Sequence, residues 1–381
     1  MRIFLSLILL VIAGFSVVVS GQQPQAAPPP GSEEAILVSR GWKMLSDGDA
    51  AQAASHASTI LTAYPRSVAA LALLVEAEIV RAGTLAGLDA YERWLGSRRI
   101  EDGYVIRIVA LSSLRDASGS SDLGLRIEAL KALAADGDAG ALALLNNPAN
   151  GERSPEVLAL ASLGQERGVR ALIAQLGTGF GTVRMIDALG QSRSPLAIPA
   201  LMKLLSSDSP DFRAAAAAGL GRLGAKEAVN AIVPLMSESQ PYPVRFAAAA
   251  ALHRLAEPQG TVFLRSSLGS PHEPVRAQAA EELAAVADDT SWVAPVEALI
   301  ASRDPQIRLQ AARLLARRDA ARARAVLENL LADQNPSIRE EAGYALASVV
   351  SSDFVALRRA LRSDTRSRIL ASNRVLEMTR R

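Results

Sequence analysis

Few residues in this chain are equipped for chemistry. Of its 381 residues three are histidine, His56, His253 and His272, and none is cysteine. Thiol nucleophiles, thiolate-held metals and disulfides are therefore excluded. The histidines sit on segments far apart, and a lone imidazole packs or faces solvent far more often than it ligates, because a metal needs several donors converging on one point. His272-Glu273 is an adjacent imidazole and carboxylate, but one such pair cannot hold a metal alone. The glycines at 219, 221 and 224 imitate a phosphate-binding fingerprint without the strand that must precede one. Gly219 and Gly221 are expected to let helices approach closely, and Gly224 to cap a helix end. No catalytic residue, metal site or cofactor is expected.

What recurs is the guanidinium group. An aliphatic or aromatic residue precedes arginine at Phe212-Arg213, Val244-Arg245, Val275-Arg276, Ile307-Arg308 and Ile338-Arg339, in steps of 32, 31, 32 and 31 residues. That period marks stacked helical repeats. Each arginine opens a helical pattern: Val244, Ala248, Leu252 and Leu255 form an apolar stripe at a 3.6-residue period, and alanine runs such as 214–218 favour helix. Ahead of each stands a proline-bearing cluster, at Pro210, Pro241 and Pro243, Pro271 and Pro274, Pro305, and Pro336. Proline suits a helix's first turn and no interior position, so these are corners between helices. A second helical segment fills each gap, for example Ala228 to Ser239 or Arg322 to Gln334. The unit is helix, proline turn, helix.

The stretch from Asp304-Pro305 through Ile307-Arg308 to Leu315 resembles the second half of a HEAT repeat, of the short subtype also found in phycobilisome lyases. The resemblance covers residues 139–381, with degenerate units near 139–166 and 354–381. It implies an all-α, right-handed α-solenoid, a superhelix of stacked antiparallel helix pairs. It also implies that Arg213, Arg245, Arg276, Arg308 and Arg339 are structural, each bonding an acidic or turn group of a neighbouring unit. Helical-repeat hydroxylases of the deoxyhypusine type, similar in their repeats, place His-Glu metal ligands just after this arginine. Here those positions are Ala214-Ala215, Phe246-Ala247, Ala277-Gln278, Leu309-Gln310 and Glu340-Glu341, which contain no histidine. A dinuclear metal site fails position by position.

In such solenoids the second helix of each pair lines the concave side. Counting three, six and ten places on from each residue preceding the arginine gives Ala215, Ala218, Arg222; Ala247, Ala250, Arg254; Gln278, Glu281, Ala285; Gln310, Arg313, Arg317; and Glu341, Tyr344, Ser348. The candidate groove is accordingly Arg222, Arg254, Gln278, Glu281, Gln310, Arg313, Arg317 and Tyr344. Alanines would keep it shallow, the arginines would recognise anionic groups, and Tyr344 would anchor a partner. A solvated helix face would show the same residues.

Upstream, residues 1–21 read as an export signal. Arg2 precedes an apolar run from Ile3 to Val19, and Val18-Val19-Ser20-Gly21 offers small residues for cleavage. A helix over that run would span roughly 25 Å, short of the roughly 30 Å hydrocarbon core, which favours cleavage over an uncleaved anchor. No cysteine follows, so lipoprotein anchoring is excluded. Residues 22–32 are a Pro-rich linker. In residues 33–100, Gly41, Gly48, Asp49, Ala53, Leu61 and Pro65 stand at the spacings of a tetratricopeptide repeat, and Gly83 could form a second turn, so these helical hairpins resemble that family. Residues 101–138 bridge into the array.

The formal charge of +2 is nearly neutral, and 49% hydrophobic residues with 4% aromatics suit an Ala/Leu-rich solenoid and argue against disorder. From Arg313 onward 14 arginines face 8 carboxylates, an excess of +6. Arg358, Arg359, Arg362, Arg366 and Arg368 could meet an anionic membrane surface, or cap the solenoid's open end. The expectation is a non-enzymatic, monomeric scaffold or adaptor, exported to the periplasm or another extracytoplasmic space, that binds envelope proteins and no nucleic acid. Two alternatives are a lyase- or hydroxylase-like enzyme or chromophore-attachment factor, and a peripheral membrane binder.

Overall fold

The computed structural model describes residues 28–96, 101–147, 154–179, 181–286, 289–349, 354–362 and 364–380. Within them the regular elements are helices and no strand occurs, as an all-α solenoid requires. The expected signal segment and the linker as far as residue 27 lie outside the described residues. Two compact units divide the chain: residues 1–132 with 350–381, and residues 133–349.

The first unit opens with α1 (Glu33–Ser46), α2 (Ala50–Ala63), α3 (Val68–Ala82), α4 (Thr84–Leu95), α5 (Gly103–Ser118) and most of α6 (Leu123–Ala135). The turns α1–α2 and α3–α4 reverse at Gly48 (φ +96°) and Gly83 (φ +91°), in the backbone region that glycine enters without steric cost, where the sequence predicts them. Ser67 caps α3, its hydroxyl accepting the Ala70 amide at 3.1 Å. Tyr91 of α4 is fully buried, its hydroxyl donating to Glu101 at 2.8 Å and accepting the Asp102 amide at 2.7 Å.

The second unit continues with α7 (Ala139–Leu145), α8 (Pro155–Ser162), α9 (Glu166–Gly177), α10 (Val183–Gln191), α11 (Ile198–Leu204), α12 (Pro210–Leu223) and α13 (Val229–Ile232). Then come α14 (Tyr242–Arg254), α15 (Pro258–Ser267), α16 (Glu273–Ala284), α17 (Val293–Leu299), α18 (Pro305–Leu315), α19 (Ala320–Leu330) and α20 (Pro336–Val349). The even-numbered helices from α12 to α20 are the arginine helices, each with proline in its first turn. Their caps vary: Ser209 caps α12 and Asp304 caps α18 through side-chain oxygens, and Gly224, left-handed at φ +69°, ends α12 as expected.

One expected element is shorter. The segment from Ala228 to Ser239 is helical only as α13 flanked by 3₁₀ turns at Lys226–Ala228 and Val233–Met236. Pro234 removes an amide donor and crowds the preceding turn, so the α-helix stops at Ile232.

The core of this unit is a chain of shared layers. Val244, Ala248 and Leu252 of α14 pack into the cluster reaching back to Val157, while Phe246 and Ala249 join the cluster that runs on to Ala323. Leu309 and Ala312 of α18 pass the core on to Ile338 and Ala345. The predicted stripe Val244, Ala248, Leu252 and Leu255 is buried throughout. Small residues set the spacing: a Cβ on Gly190 would lie 2.6 Å from the Cα of Gly219, and one on Gly221 would lie 2.6 Å from the Cα of Ala251. Helices α10, α12 and α14 thus meet backbone to backbone.

The chain finishes with α21 (Phe354–Ala360) and α22 (Thr365–Thr379), which belong to the first unit. The sequence assigns these helices to the array; here α22 packs along α5, burying Ile369, Ala371, Val375 and Leu376. Burying an aliphatic side chain of this size contributes about 1.5–3 kcal/mol.

Candidate functional site

Four of the five repeat arginines do one thing. Nη1 of Arg213 donates to the carbonyls of Ser207 (2.7 Å) and Asp208 (3.0 Å), and that of Arg276 to Ser270 (2.8 Å) and Pro271 (3.2 Å). Arg308 repeats this on Ser302 (2.9 Å) and Arg303 (3.0 Å), and Arg339 on Asp333 (2.7 Å) and Gln334 (3.0 Å). The acceptors are always six and five residues upstream, carbonyls of the corner that no helix ladder satisfies. The partner is thus the turn just before the arginine's own helix. A neighbouring acid enters at Arg308, 3.8 Å from Asp333. Arg245 departs from the pattern: its side chain makes no hydrogen bond or ion pair among the described residues, and its guanidinium stands 5.5 Å from the Phe263 ring centre.

The predicted groove residues come together as a ladder between successive arginine helices. Arg222 donates to Asp187 of α10 at 3.0 Å, and Arg254 to Glu282 of α16 at 2.7 Å. Gln310 of α18 donates to Glu281 of α16 at 2.8 Å, and Arg313 lies 3.7 Å from Glu341 of α20. Nη1 of Arg317 donates to the last-turn carbonyl of Ala284 at 2.5 Å. Anion recognition by free groove arginines is therefore corrected: the second helices lie so close that each arginine already meets an acceptor of a neighbouring repeat. Ala215 and Ala250, expected at the surface, are buried for the same reason. Gln278 remains exposed, and the Tyr344 side chain lies outside the described residues. The counted columns contain Glu341 without tying it to Arg313, and they leave out Asp187 and Glu282 altogether. An acid 28 residues after Arg254 and after Arg313 was the available signal.

Beside Arg317 a cavity of about 410 Å³ is lined by Ala284, Ala285, Val286, Asp289, Trp292, Arg317 and Arg318. Its carboxylate is spent. Asp289 accepts from Arg265 Nη2 at 2.9 Å and from the Ser291 amide at 2.8 Å. Burial works to raise its pKa, but these bonds outweigh it and hold the group below the usual carboxylate range.

The histidines stay apart. His56 Nε2 bonds the Leu37 carbonyl at 2.9 Å, and His272 precedes the first residue of α16. His253 is buried with Nδ1 2.7 Å from Thr261 Oγ1 and Nε2 without a partner; burial pushes its pKa down against the pull of Asp289 and Glu282. No group of three or more His, Asp or Glu that could hold a metal ion occurs among the described residues.

Nor are the C-terminal arginines a free basic surface. Arg358 donates to Glu92 at 2.5 Å and Glu101 at 2.9 Å, and Arg362 to Asp89 and Glu92. Within the first unit these carboxylates neutralise two of the five guanidinium groups proposed for a membrane. Arg359 is exposed, and Arg366 and Arg368 have partners of their own. No helix among the described residues is long and apolar enough to cross a membrane.

The family model for HEAT repeats matches residues 181–253, 198–285 and 293–377. No curated protein matches the chain. Among solved structures, the chain is similar to the complex of CpcE and CpcF of phycocyanin lyase from a Nostoc species, at 24% identity and TM-score 0.37, covering 64% of this chain and 94% of that one. Human deoxyhypusine hydroxylase is similar at 18% identity and TM-score 0.32, with 66% and 99% covered. An engineered protein is similar at 21% identity and TM-score 0.29, with 91% and 99% covered.

Proposed function

Because the chain belongs to the HEAT-repeat family over residues 181–285 and 293–377, we propose that it is a non-catalytic scaffold that holds a protein partner on the face made by its arginine helices. The observation that carries this is the cross-repeat ladder. Asp187–Arg222, Arg254–Glu282, Glu281–Gln310 and Arg313–Glu341 pin neighbouring helices to one another, and between them stand small or uncharged side chains such as Ala218, Ala247 and Gln278. A strip whose charges are already paired asks little desolvation of a partner, and a pre-ordered surface loses little entropy on binding. Recognition then rests on shape and apolar contact more than on charge.

The same proposal takes the apolar run at residues 3–19 as an export signal, so that the scaffold works as a monomer in the cell envelope. Fractionation of a C-terminally tagged chain tests it, with cytoplasmic retention as the contrary result. The groove is tested by capture from envelope extract with the chain and its Ala247→Arg, Gln278→Arg variant. Reversing Arg254 or Arg313 would break the ladder itself, whereas these two substitutions obstruct the face without removing any ladder residue. A partner retained equally by both proteins would remove the groove from the proposal.

A further inference from the structure

Arg245 is the anomaly among the repeat arginines. Its four counterparts spend Nη1 on two corner carbonyls, but its corner is built differently: the preceding segment ends in a 3₁₀ turn at Met236, and Pro241-Tyr242-Pro243 opens α14. The Arg245 guanidinium instead stacks 5.5 Å from the centre of Phe263, with its Nε buried and unbonded. Around it lies an aromatic cluster. The Tyr242 ring centre is 6.0 Å from that of Phe246 and 6.2 Å from that of Phe263. Phe246 is buried and fixes the cluster from below, while Tyr242 is 39% exposed and Val262, beside Phe263 in the chain, is 65% exposed.

From this juxtaposition we propose that Arg245, Tyr242 and Phe263 form a docking site for an extended segment of a partner protein that carries a carboxylate beside an apolar side chain. A guanidinium laid on an aromatic ring has its orientation set before binding and its outer N–H groups free, the arrangement that grips a carboxylate through two parallel bonds. The tyrosine and phenylalanine rings supply the amphipathic surface on which binding energy concentrates. Positive charge on this patch selects against basic segments. The site deepens the scaffold proposal and rests on it, but lies at the corner end of α14 and α15, away from the ladder.

The test uses an array of extended peptides in a Gly/Ser frame. One set has phenylalanine or leucine next to aspartate, and the second set replaces aspartate with asparagine. The full chain is compared with Arg245→Gln, Tyr242→Ser and, as a control in the same repeat position, Arg276→Gln. The chain is expected to prefer the aspartate set by roughly tenfold, the worth of one bidentate charge-assisted contact. Arg245→Gln should erase that preference, Tyr242→Ser should weaken both sets, and Arg276→Gln should keep the preference while lowering the melting temperature. Arg245→Gln should melt within about 2 °C of the parent, since it loses no corner bond. Preference surviving in Arg245→Gln, no peptide binding by the parent, or a melting loss equal to that of Arg276→Gln would each overturn the site. Retention of an envelope partner by Arg245→Gln and Tyr242→Ser, with its loss from Ala247→Arg, Gln278→Arg, would overturn this site and leave the scaffold standing.

Discussion

Replacing Arg358 by alanine should selectively unfasten the first unit. The guanidinium is 16% exposed and bridges Glu92 and Glu101, and the Glu101 side chain is 6% exposed. Without Arg358, Glu92 keeps Arg362, but among the described residues Glu101 keeps only the Tyr91 hydroxyl. Removing one partner of a well-buried pair costs about 3–5 kcal/mol, because the other charge is stranded. The remaining bonds and the partial exposure of Glu92 reduce this to about 2–4 kcal/mol. The neighbouring Arg359, exposed, is the control, and its alanine variant should stay within about 0.5 kcal/mol. Urea unfolding followed by hydrogen exchange reads the effect by region: protection should fall in α4, α5 and α22 and persist in α12 to α16. A cycle with Glu101→Gln should return a coupling of about 1 kcal/mol or more. Equal stability for Arg358→Ala and Arg359→Ala, or uniform loss of protection through both units, would refute the reasoning.

Gly221→Ala should destabilise by about 1–3 kcal/mol although alanine is the better helix former, because its methyl carbon would sit 2.6 Å from the Cα of Ala251; thermal melting checks it, and a stabilised variant would refute the close approach. His253 gives a pH dependence. With its folded pKa depressed below the unfolded value of about 6.5, the unfolded chain binds the proton more readily, so its contribution is complete above that pH and is lost as pH falls toward the folded value. The slope should not exceed about 1.4 kcal/mol per pH unit. Melting temperatures from pH 7.5 down to about 5.5 should fall less steeply in His253→Gln, and an unchanged slope would assign the dependence to other groups.

The repeats were legible because one local requirement recurs: a corner with unsatisfied carbonyls calls for an arginine a fixed five and six residues on, and proline marks where the next helix begins. The short α13 was legible in principle from Pro234, whose effect was outweighed by the apolar pattern around it. The partners of the groove arginines were not, since Asp187, Glu282 and Glu341 meet them across repeats whose relative offset only packing decides. Least legible was the union of α21 and α22 with α4 and α5. Arg358 and Arg362 stand one helical turn apart, as do Asp89 and Glu92, but no local pattern announces that two such pairs more than 250 residues apart will meet.

That union changes how the chain would carry load. In an open solenoid, tension on the two ends passes through every repeat in series. Here residues 28 and 379 both lie in the first unit, where α22 runs along α5 and Thr379 accepts from Arg107 at 3.0 Å. Pulled between those points, the α5–α22 seam and the Arg358 and Arg362 bridges resist first, and the array from 133 to 349 stays off the force path until they part. A single rupture should then release the whole array as slack before any repeat unfolds.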